Sequence, residues 1–317
     1  MLLDINFNHD KSSWDEFIRR SPQATIFSET QFLDSLHLQY DLVTCSKNGK
    51  IEVGALIIKG DDGLVRKTPY PFTQFQGVFL SADSRKSTQA KIGSQFKNLE
   101  YLLQGLENKY GEFLLVNSWK LEDMRPFLWH NYGESGKRKI DLDLRYTGII
   151  DLTTHSSFEE YMTTVRPCRR QEAKKLHKLI TIESSDEIDI LEILHEKTFG
   201  RQGLKRDNKD AEIMHEICKN ALQKGFGRLK VARLEGVPIA ASFFVNDMST
   251  AYYLIGASDP EYRKLSAGTA LIFSMTEEFF GENIKTIDMV GVNSPNRGDY
   301  KISFNAQLRP YYIATCL

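Results

Sequence analysis

The sequence predicts an α+β protein of two domains, each with a mixed, mainly antiparallel sheet flanked by helices. The 317 residues are enough for two domains of typical size. Both halves show the same order of elements, namely early helices, a β-meander, a long helix and a short buried strand. We therefore predict a first domain at residues 1–147 and a second at residues 148–317, with the last strand crossing to the first domain.

In the first half, hydrophobic spacing and turn residues predict short helices, a hairpin and then a long helix. Asn48-Gly49, between two alternating segments, is a strong hairpin signal. A stripe of leucines at helical spacing predicts a helix over residues 84–109. The other predicted elements are helices opened by capping boxes at Ser13 and Ser28, the second running to about Leu38, strands at 41–47, 51–60 and 113–116, a helix at 122–132 and an extended segment at 140–152.

In the second half, the same reasoning predicts helices, then three consecutive strands, then a helix that leads into a buried strand. Ser157 opens the first helix, and Pro167 interrupts it. Glu235-Gly236 and Asn246-Asp247 supply the turns of the meander. The remaining predicted helices are 168–178, 186–200, 209–224, 266–280 and 299–305, and the predicted strands are 228–235, 238–246, 250–257, 285–290 and 310–315.

Composition and charge limit the classes of partner. Lys plus Arg total 41 and Asp plus Glu total 42, so no overall charge draws the chain to nucleic acid or to an anionic membrane. The first ten residues carry two acids and no basic residue, unlike a signal peptide. No set of metal-ligand spacings is complete, so we expect no metal. The longest mostly apolar runs are about half of what a bilayer span needs, which predicts no transmembrane segment. Widely spaced cysteines are typical of reduced thiols, which predicts a cytoplasmic protein; they are Cys45, Cys168, Cys218 and Cys316.

The segment Ala251–Leu271 carries the clearest chemical signal. A strand ends there, and a turn leads into an amphipathic helix. The first backbone N–H groups of a helix lack intrahelical partners and lie at the positive end of its dipole. Small residues let a phosphate approach those amides closely, and Arg263 adds positive charge. The segment therefore predicts a pyrophosphate site formed by Arg263, Ser266, Ala267, Gly268 and Thr269.

Arg263-x-x-Ser266-x-Gly268 resembles the Q/R-x-x-G-x-G/A loop with which GNAT acetyltransferases bind the pyrophosphate of coenzyme A, with Ser in place of the first Gly. Residues 252–259 resemble the family pattern YYL-x-GA-x-D, residues 301–306 resemble FK-x-x-FGA, and residues 165–170 resemble an R-x-x-x-RR helix. The chain is thus similar to the FemAB-like group of tandem GNAT acyltransferases. The motifs cover about residues 150–312, whereas residues 1–147 match mainly by arrangement.

The resemblance implies an N-acyltransferase that moves an acyl group from acyl-CoA, with acetyl-CoA the expected donor, or from a carrier to an amine. The acceptor would be an amino sugar or a lipid-linked envelope precursor. Such transfer needs a base for the amine, for which Asp288 is the candidate, and an acid for the leaving thiolate, for which Tyr253 is the candidate. Tyr252 competes with Tyr253, because alternation along a strand places the two on opposite faces.

Other side chains are candidates for acceptor binding. Arg166, Arg169 and Arg170 lie on a basic stripe with Lys174, Lys175 and Lys178, which predicts either recognition of an anionic acceptor or a solvated face with salt bridges, for example to Glu172. Lys301 is predicted to meet a phosphate or to be a solvated helix lysine. Tyr70, next to Phe72 in a proline-rich segment, is predicted to line a cleft between the halves or to pack in a core.

Two alternatives stay open at the level of sequence. The first is an aminoacyl transferase that uses aminoacyl-tRNA on a peptidoglycan precursor, which would make tRNA the one nucleic acid partner. Classical members of that type carry a long helical hairpin arm, for which residues 186–224 leave no room. The second is a non-catalytic binding protein on the same fold, since Ser266 and Asn305 both depart from the family motifs.

Overall fold

The computed structural model of the protein describes residues 3–36, 39–85, 87–176, 179–201, 203, 207–282 and 284–317. The chain divides into two compact units. One consists of Met1–Arg145 together with Pro310–Leu317, and the other consists of Tyr146–Arg309. Each unit contains sheet and helix, and the pairing is mixed but mostly antiparallel. The α+β fold class predicted from the sequence is therefore confirmed.

The strands are numbered along the chain. They are β1 (Asp4–Asn6), β2 (Tyr40–Lys47), β3 (Lys50–Ile58), β4 (Val78–Leu80), β5 (Phe113–Val116), β6 (Ile140–Asp151), β7 (Thr181–Ser185), β8 (Gly227–Leu234), β9 (Val237–Asn246), β10 (Thr250–Ser258), β11 (Thr286–Asp288) and β12 (Gln307–Cys316).

The helices are numbered in the same way. They are α1 (Lys11–Ile18), α2 (Thr30–Leu33), α3 (Thr88–Tyr110), α4 (Arg125–Leu128), α5 (Phe158–Thr164), α6 (Pro167–Leu176), α7 (Ile188–Arg201), α8 (Asn208–Lys224), α9 (Ala267–Phe280) and α10 (Pro295–Ile302). None of the described helices is long and apolar enough to cross a membrane.

In the first unit, β1 to β4 form an antiparallel sheet in chain order. The predicted hairpin is present, and Asn48 and Gly49 both have positive φ, as the tight turn requires. The leucine stripe of α3 packs into the core beside this sheet, and its four leucines are fully buried. β5 pairs with the end of β12, with Val116 opposite Ile313. The hairpin and the buried leucine face of α3 therefore agree with the sequence predictions.

In the second unit, the end of β6 is followed across the sheet by β11, β10, β9, β8 and β7. β10 and β11 are parallel, and the described neighbours on either side of them are antiparallel. A parallel pair needs a crossover, and α9 supplies it. α9 is apolar and nearly enclosed, because it packs on the strands on one side and against α5 and α6 on the other. This connection places the start of α9 beside the end of β10, where the site lies.

Several boundaries differ from the sequence predictions for local reasons. α1 begins at Lys11 because Asp10, not Ser13, accepts the capping hydrogen bond. Ser28 serves in the capping box of a preceding 3₁₀ turn whose N-cap is Thr25, so α2 is a single turn, and Leu38 lies outside the described residues. α4 is also one turn, and α10 begins at Pro295 instead of residue 299. The short strands β1, β4 and β7 carry too few residues to show a period and were not predicted.

Candidate functional site

The sheet of the second unit opens where β10 and β11 part. Their parallel pairing ends at Tyr252 and Asp288. Beyond that point β10 stays paired with β9 as far as Ser258. The chain after Asp288 stays with β6 instead, since the amide of Met289 donates to the carbonyl of Gly148. We call this opening the fork. Its β10 arm, residues 253–258, presents backbone groups that no described strand pairs on that side.

The start of α9 lies next to the β10 arm. Ser266 precedes the helix in the left-handed conformation, with φ 55°, and its side chain makes no capping hydrogen bond. The first three helical residues are Ala267, Gly268 and Thr269, so small side chains surround the unpaired amides of the first turn. A β-carbon on Gly268 would lie 3.6 Å from the hydroxyl of Tyr300 and would have no closer neighbour. Arg263 is exposed on the 3₁₀ turn just before the helix.

A cleft of about 900 Å³ opens over this helix start; we call it the α9 cleft. All five residues of the predicted pyrophosphate site border it, so the structure brings them together. Three further arginines and two carboxylates also border it, which leaves an excess of positive charge. Arg201 and Arg263 form no ion pair with another described residue. The charged side chains that border the cleft are Arg169, Arg201, Arg263, Arg297, Glu172 and Asp299.

One of those carboxylates is bonded directly to α9. Glu172 Oε2 accepts a hydrogen bond from the Thr269 hydroxyl at 2.8 Å. The same carboxylate holds the Arg169 guanidinium at 2.6 Å and 2.8 Å. Arg169 also donates to Ser303 Oγ at 2.8 Å, and its guanidinium lies 4.7 Å from the centre of the Tyr300 ring. The basic helix α6 is thereby joined to the start of α9 through an acid.

The vertex of the fork is built around Asp288 and Lys301. Asp288 is 1% exposed, and its Oδ1 accepts hydrogen bonds from the Thr147 hydroxyl and from the amide of Val290, the latter at 2.8 Å. The Lys301 ammonium donates to the carbonyls of Val290 and Gly291. Burial lowers the pKa of Lys301 to about 8, although the Asp288 carboxylate opposes that shift. Lys301 is therefore neither a solvated lysine nor free to reach an exposed phosphate in this arrangement.

The two tyrosines of β10 have different surroundings. The Tyr252 hydroxyl donates to Asp247 Oδ2 at 2.9 Å, and the ring is buried. The Tyr253 ring packs on Phe244, while Lys301 lies over its face with Nζ 5.4 Å from the ring centre. Burial raises the pKa of Tyr253 to about 12, so its hydroxyl keeps its proton at neutral pH. Burial raises the pKa of Tyr252 as well, so both hydroxyls keep their protons at neutral pH, and what distinguishes Tyr253 is its contact with Lys301.

The other predicted substrate residues are placed separately. Arg166 forms a two-pronged ion pair with Asp299 at 2.9 Å and 3.0 Å, and Arg170 Nε is buried without a hydrogen-bond partner among the described residues. Lys174 and Lys175 are exposed, and Lys178 lies outside the described residues. Tyr70 belongs to the other unit, where it is 4% exposed beneath the Arg66 guanidinium. Its contact with substrate stays a prediction.

Sequence reasoning missed several residues of this region. Tyr300, Arg201 and Arg297 border the α9 cleft but belong to no recognised motif. Thr147 is bonded to Asp288 across 141 positions of chain, a contact that no local pattern signals. A usable signal existed only for Tyr300, which directly precedes the lysine of the degraded FK-x-x-FGA motif.

Comparison with protein families agrees with this geometry. Residues 161–301 match the family model described as an acetyltransferase (GNAT) domain. The match includes the β10 arm of the fork, Asp288, the start of α9 and the whole pyrophosphate motif. No curated protein sequence matches the chain.

Solved structures resemble the chain over nearly its whole length. FemX superposes with a TM-score of 0.68 at 13% identity, covering 98% of this chain and 96% of FemX. A tandem GNAT protein from the clavulanic acid biosynthesis pathway gives 0.53 at 10% identity, with 99% and 98% covered. L-PGS from Bacillus licheniformis gives 0.52 at 13% identity, with 98% and 93% covered. The resemblance read from the motifs is thus confirmed: residues 161–301 are similar to a GNAT acetyltransferase domain, and the chain as a whole has the fold of FemX and of the tandem GNAT protein.

Proposed function

We propose that the second unit is an N-acyltransferase that takes an acyl group from acyl-CoA and passes it to an amine. The observation that carries the proposal is the meeting of the α9 start with the fork. The phosphates of a donor can bind at the start of α9, while the reactive end of the same donor enters the fork. The amine acceptor we favour is an amino sugar or a lipid-linked envelope precursor.

The α9 cleft fits the phosphates of coenzyme A. The amides of Ala267 and Gly268 lie at the positive end of a 14-residue helix. Gly268 has no side chain to fill the approach, and Arg263 and Arg201 are exposed beside it. Arginine suits phosphate because its planar fork of donors can bind two oxygens at once. The residues present therefore fit a diphosphate, although Ser266 replaces the glycine of the family motif.

The fork suits the extended arm of such a donor. A chain that contains amide groups can add to an open strand edge by backbone hydrogen bonds. The β10 arm, residues 253–258, offers such an edge, and it runs from the vertex towards the cleft, because Ser258 borders the cleft. When bound, the donor supplies a thioester carbonyl that an amine attacks directly. Backbone amides of this arm are the candidate donors to the oxygen on which negative charge develops.

Two side chains at the vertex are assigned the proton transfers. Asp288 accepts the proton that the amine loses on attack, or orients that amine for a water-mediated loss. Tyr253 donates to the leaving sulfur, which its protonated state at neutral pH allows. The hydrogen bonds from Thr147 and Val290 hold the Asp288 carboxylate in one orientation.

Aminoacyl transfer is the second candidate, favoured by the whole-chain likeness to FemX and L-PGS. α7 packs on β9 and β10, and α8 packs on β8, so these helices are part of the sheet layers and form no projecting arm. This separates the chain from aminoacyl transferases that carry such an arm, but not from FemX, 96% of which the chain covers. A protein that binds donor without catalysis is the third candidate.

The test is donor binding followed by transfer. We expect acetyl-CoA or a longer acyl-CoA to raise the thermal midpoint by mass action and to acylate members of a panel of amino sugars. Release of free thiol measures the transfer. If no acyl-CoA shifts the midpoint, the first candidate is wrong, and salt-dependent binding of aminoacyl-tRNA would then support the second. Binding without transfer to any amine would support the third.

A further inference from the structure

A carboxylate occupies the position where the proposed function needs an anion to bind. Thr269 is the third residue of α9, and its hydroxyl points to Glu172 at 2.8 Å. Thr269 borders the α9 cleft but is only 1% exposed. Glu172 itself is partly exposed, with 26% of its side chain accessible. The acid therefore stands between the solvent of the cleft and the first turn of the helix.

The same carboxylate also engages a cation that a phosphate would use. Arg169 is 17% exposed and is held by both oxygens of Glu172. Arg169 is fixed from two further sides, by Ser303 and by the Tyr300 ring, so it stays at the cleft when the acid leaves. Glu172 has no such anchoring beyond Arg169 and Thr269 among the described residues. The pair can thus open by movement of one side chain.

Helix starts favour negative charge, and here the chain supplies it internally. A donor phosphate arriving at the first turn meets a like charge at short range. The phosphate can accept hydrogen bonds from the Thr269 hydroxyl and the Arg169 guanidinium only if Glu172 no longer accepts them.

We propose that Glu172 is an internal anion of the donor site, which donor phosphate displaces and which thereby weakens donor binding. The inference rests on the proposed function, because it assumes that phosphate binds at α9. It assigns to Glu172 a role in donor selectivity: a ligand without phosphate gains nothing from displacing it, whereas a phosphate-bearing ligand exchanges one anion for another.

The proposal makes two opposite predictions for Glu172→Gln. Without ligand, the variant loses a favourable charge at a helix start, so its thermal midpoint should be lower than that of the parent. With coenzyme A, the variant should bind about fivefold to tenfold tighter, because the competing charge is gone and Arg169 is free. A residue with a purely structural role would not change these two quantities in opposite directions.

The experiment is titration calorimetry of the full chain with coenzyme A and with pantetheine, which lacks phosphate. Glu212→Gln is the matched control, since it removes one exposed acid from α8 and changes the net charge equally. We expect tighter coenzyme A binding in Glu172→Gln only, and no change for pantetheine. If Glu172→Gln fails to fold, Glu172→Asp draws the carboxylate back from Thr269 and should tighten coenzyme A binding about twofold or more.

The outcomes separate this inference from the proposed function. If the parent binds coenzyme A and Glu172→Gln binds it equally or more weakly, the role of Glu172 is overturned and the donor site stands. Equal tightening in Glu212→Gln would also overturn it, since overall charge would then explain the effect. If neither the parent nor either Glu172 variant binds coenzyme A, both proposals fall together.

Discussion

The Nζ atom of Lys301 lies 5.4 Å from the centre of the Tyr253 ring and donates to the carbonyls of Val290 and Gly291. One half-buried ammonium therefore contacts both arms of the fork, the β10 arm through a ring face and the other arm through backbone. Val290 has a φ of 48°, a conformation that a β-branched residue rarely adopts. The lysine thus holds a strained turn at the place where the sheet separates.

Replacing Lys301 by Met should remove a pH dependence of stability. The folded-state pKa of Lys301 is about 8, against an ordinary value of 10.5. Between those values the unfolded chain binds the proton more tightly, so the free energy of unfolding rises with pH. We expect the stability of the parent relative to Lys301→Met to rise by up to roughly 3 kcal/mol across that window.

Urea unfolding from pH 7.5 to 10.5 measures this difference. Lys264→Met serves as the control, because Lys264 is exposed on the turn before α9. If the free energies of unfolding of the parent and of Lys301→Met change with pH in parallel, the pKa of Lys301 is not lowered in the folded protein.

Gly268→Glu should abolish binding of coenzyme A. The new side chain would enter the approach to the first turn of α9 and would place a negative charge beside the phosphate. Gly268→Ala is the matched control, because its β-carbon would lie 3.6 Å from the Tyr300 hydroxyl, an ordinary contact. Calorimetry with coenzyme A is the measurement. Unchanged affinity in Gly268→Glu would remove the phosphate site from this helix start.

Gly256→Ala should destabilise the second unit. A β-carbon at Gly256 would overlap the hydroxyl and the ring of Tyr253, and overpacking of this kind costs about 1–3 kcal/mol. The double variant with Tyr253→Phe should recover part of that loss, because only the hydroxyl overlap is relieved. Gly200→Ala in α7 is the control, since a β-carbon there meets nothing, and it should be neutral or stabilising by up to about 1 kcal/mol. Urea unfolding of the parent, Gly256→Ala, Tyr253→Phe, the double variant and Gly200→Ala is the measurement. Additive effects of Gly256→Ala and Tyr253→Phe would contradict the overlap.

Asp288→Asn should lower the rate of acyl transfer about 100-fold or more, because the amide cannot accept the proton of the amine. Donor affinity should stay within about twofold, since the side chain lies at the fork vertex and away from the phosphate region. Asparagine keeps an oxygen that can accept from Thr147 and Val290, so the fold should be retained.

Thr147→Val is the companion variant. It leaves the carboxylate in place but removes the hydroxyl that orients it, and its rate should fall less than that of Asp288→Asn. Steady-state rates with the amine acceptor found in the transfer assay give the comparison. If Asp288→Asn transfers at the parental rate, Asp288 is not the base.

Elements that depend on neighbours in sequence were predictable. The Asn48-Gly49 hairpin and the leucine stripe of α3 follow from turn geometry and helical period, which a window of a few residues contains. The junction before α9 was predictable for the same reason, since a strand end, a turn and small residues adjoin in the chain. Short strands such as β4, with three residues, carry no period and depend on the sheet that receives them.

The sequence by itself determined which segment opens towards a phosphate and which residue types stand there, because the free amides of a helix start are a local property. The tertiary structure decided what meets that segment. Glu172 reaches Thr269 across 97 positions, and Thr147 reaches Asp288 across 141. It also decided that Lys301 is half-buried and bonded to backbone carbonyls, since the burial of a side chain depends on elements that pack over it from elsewhere in the chain.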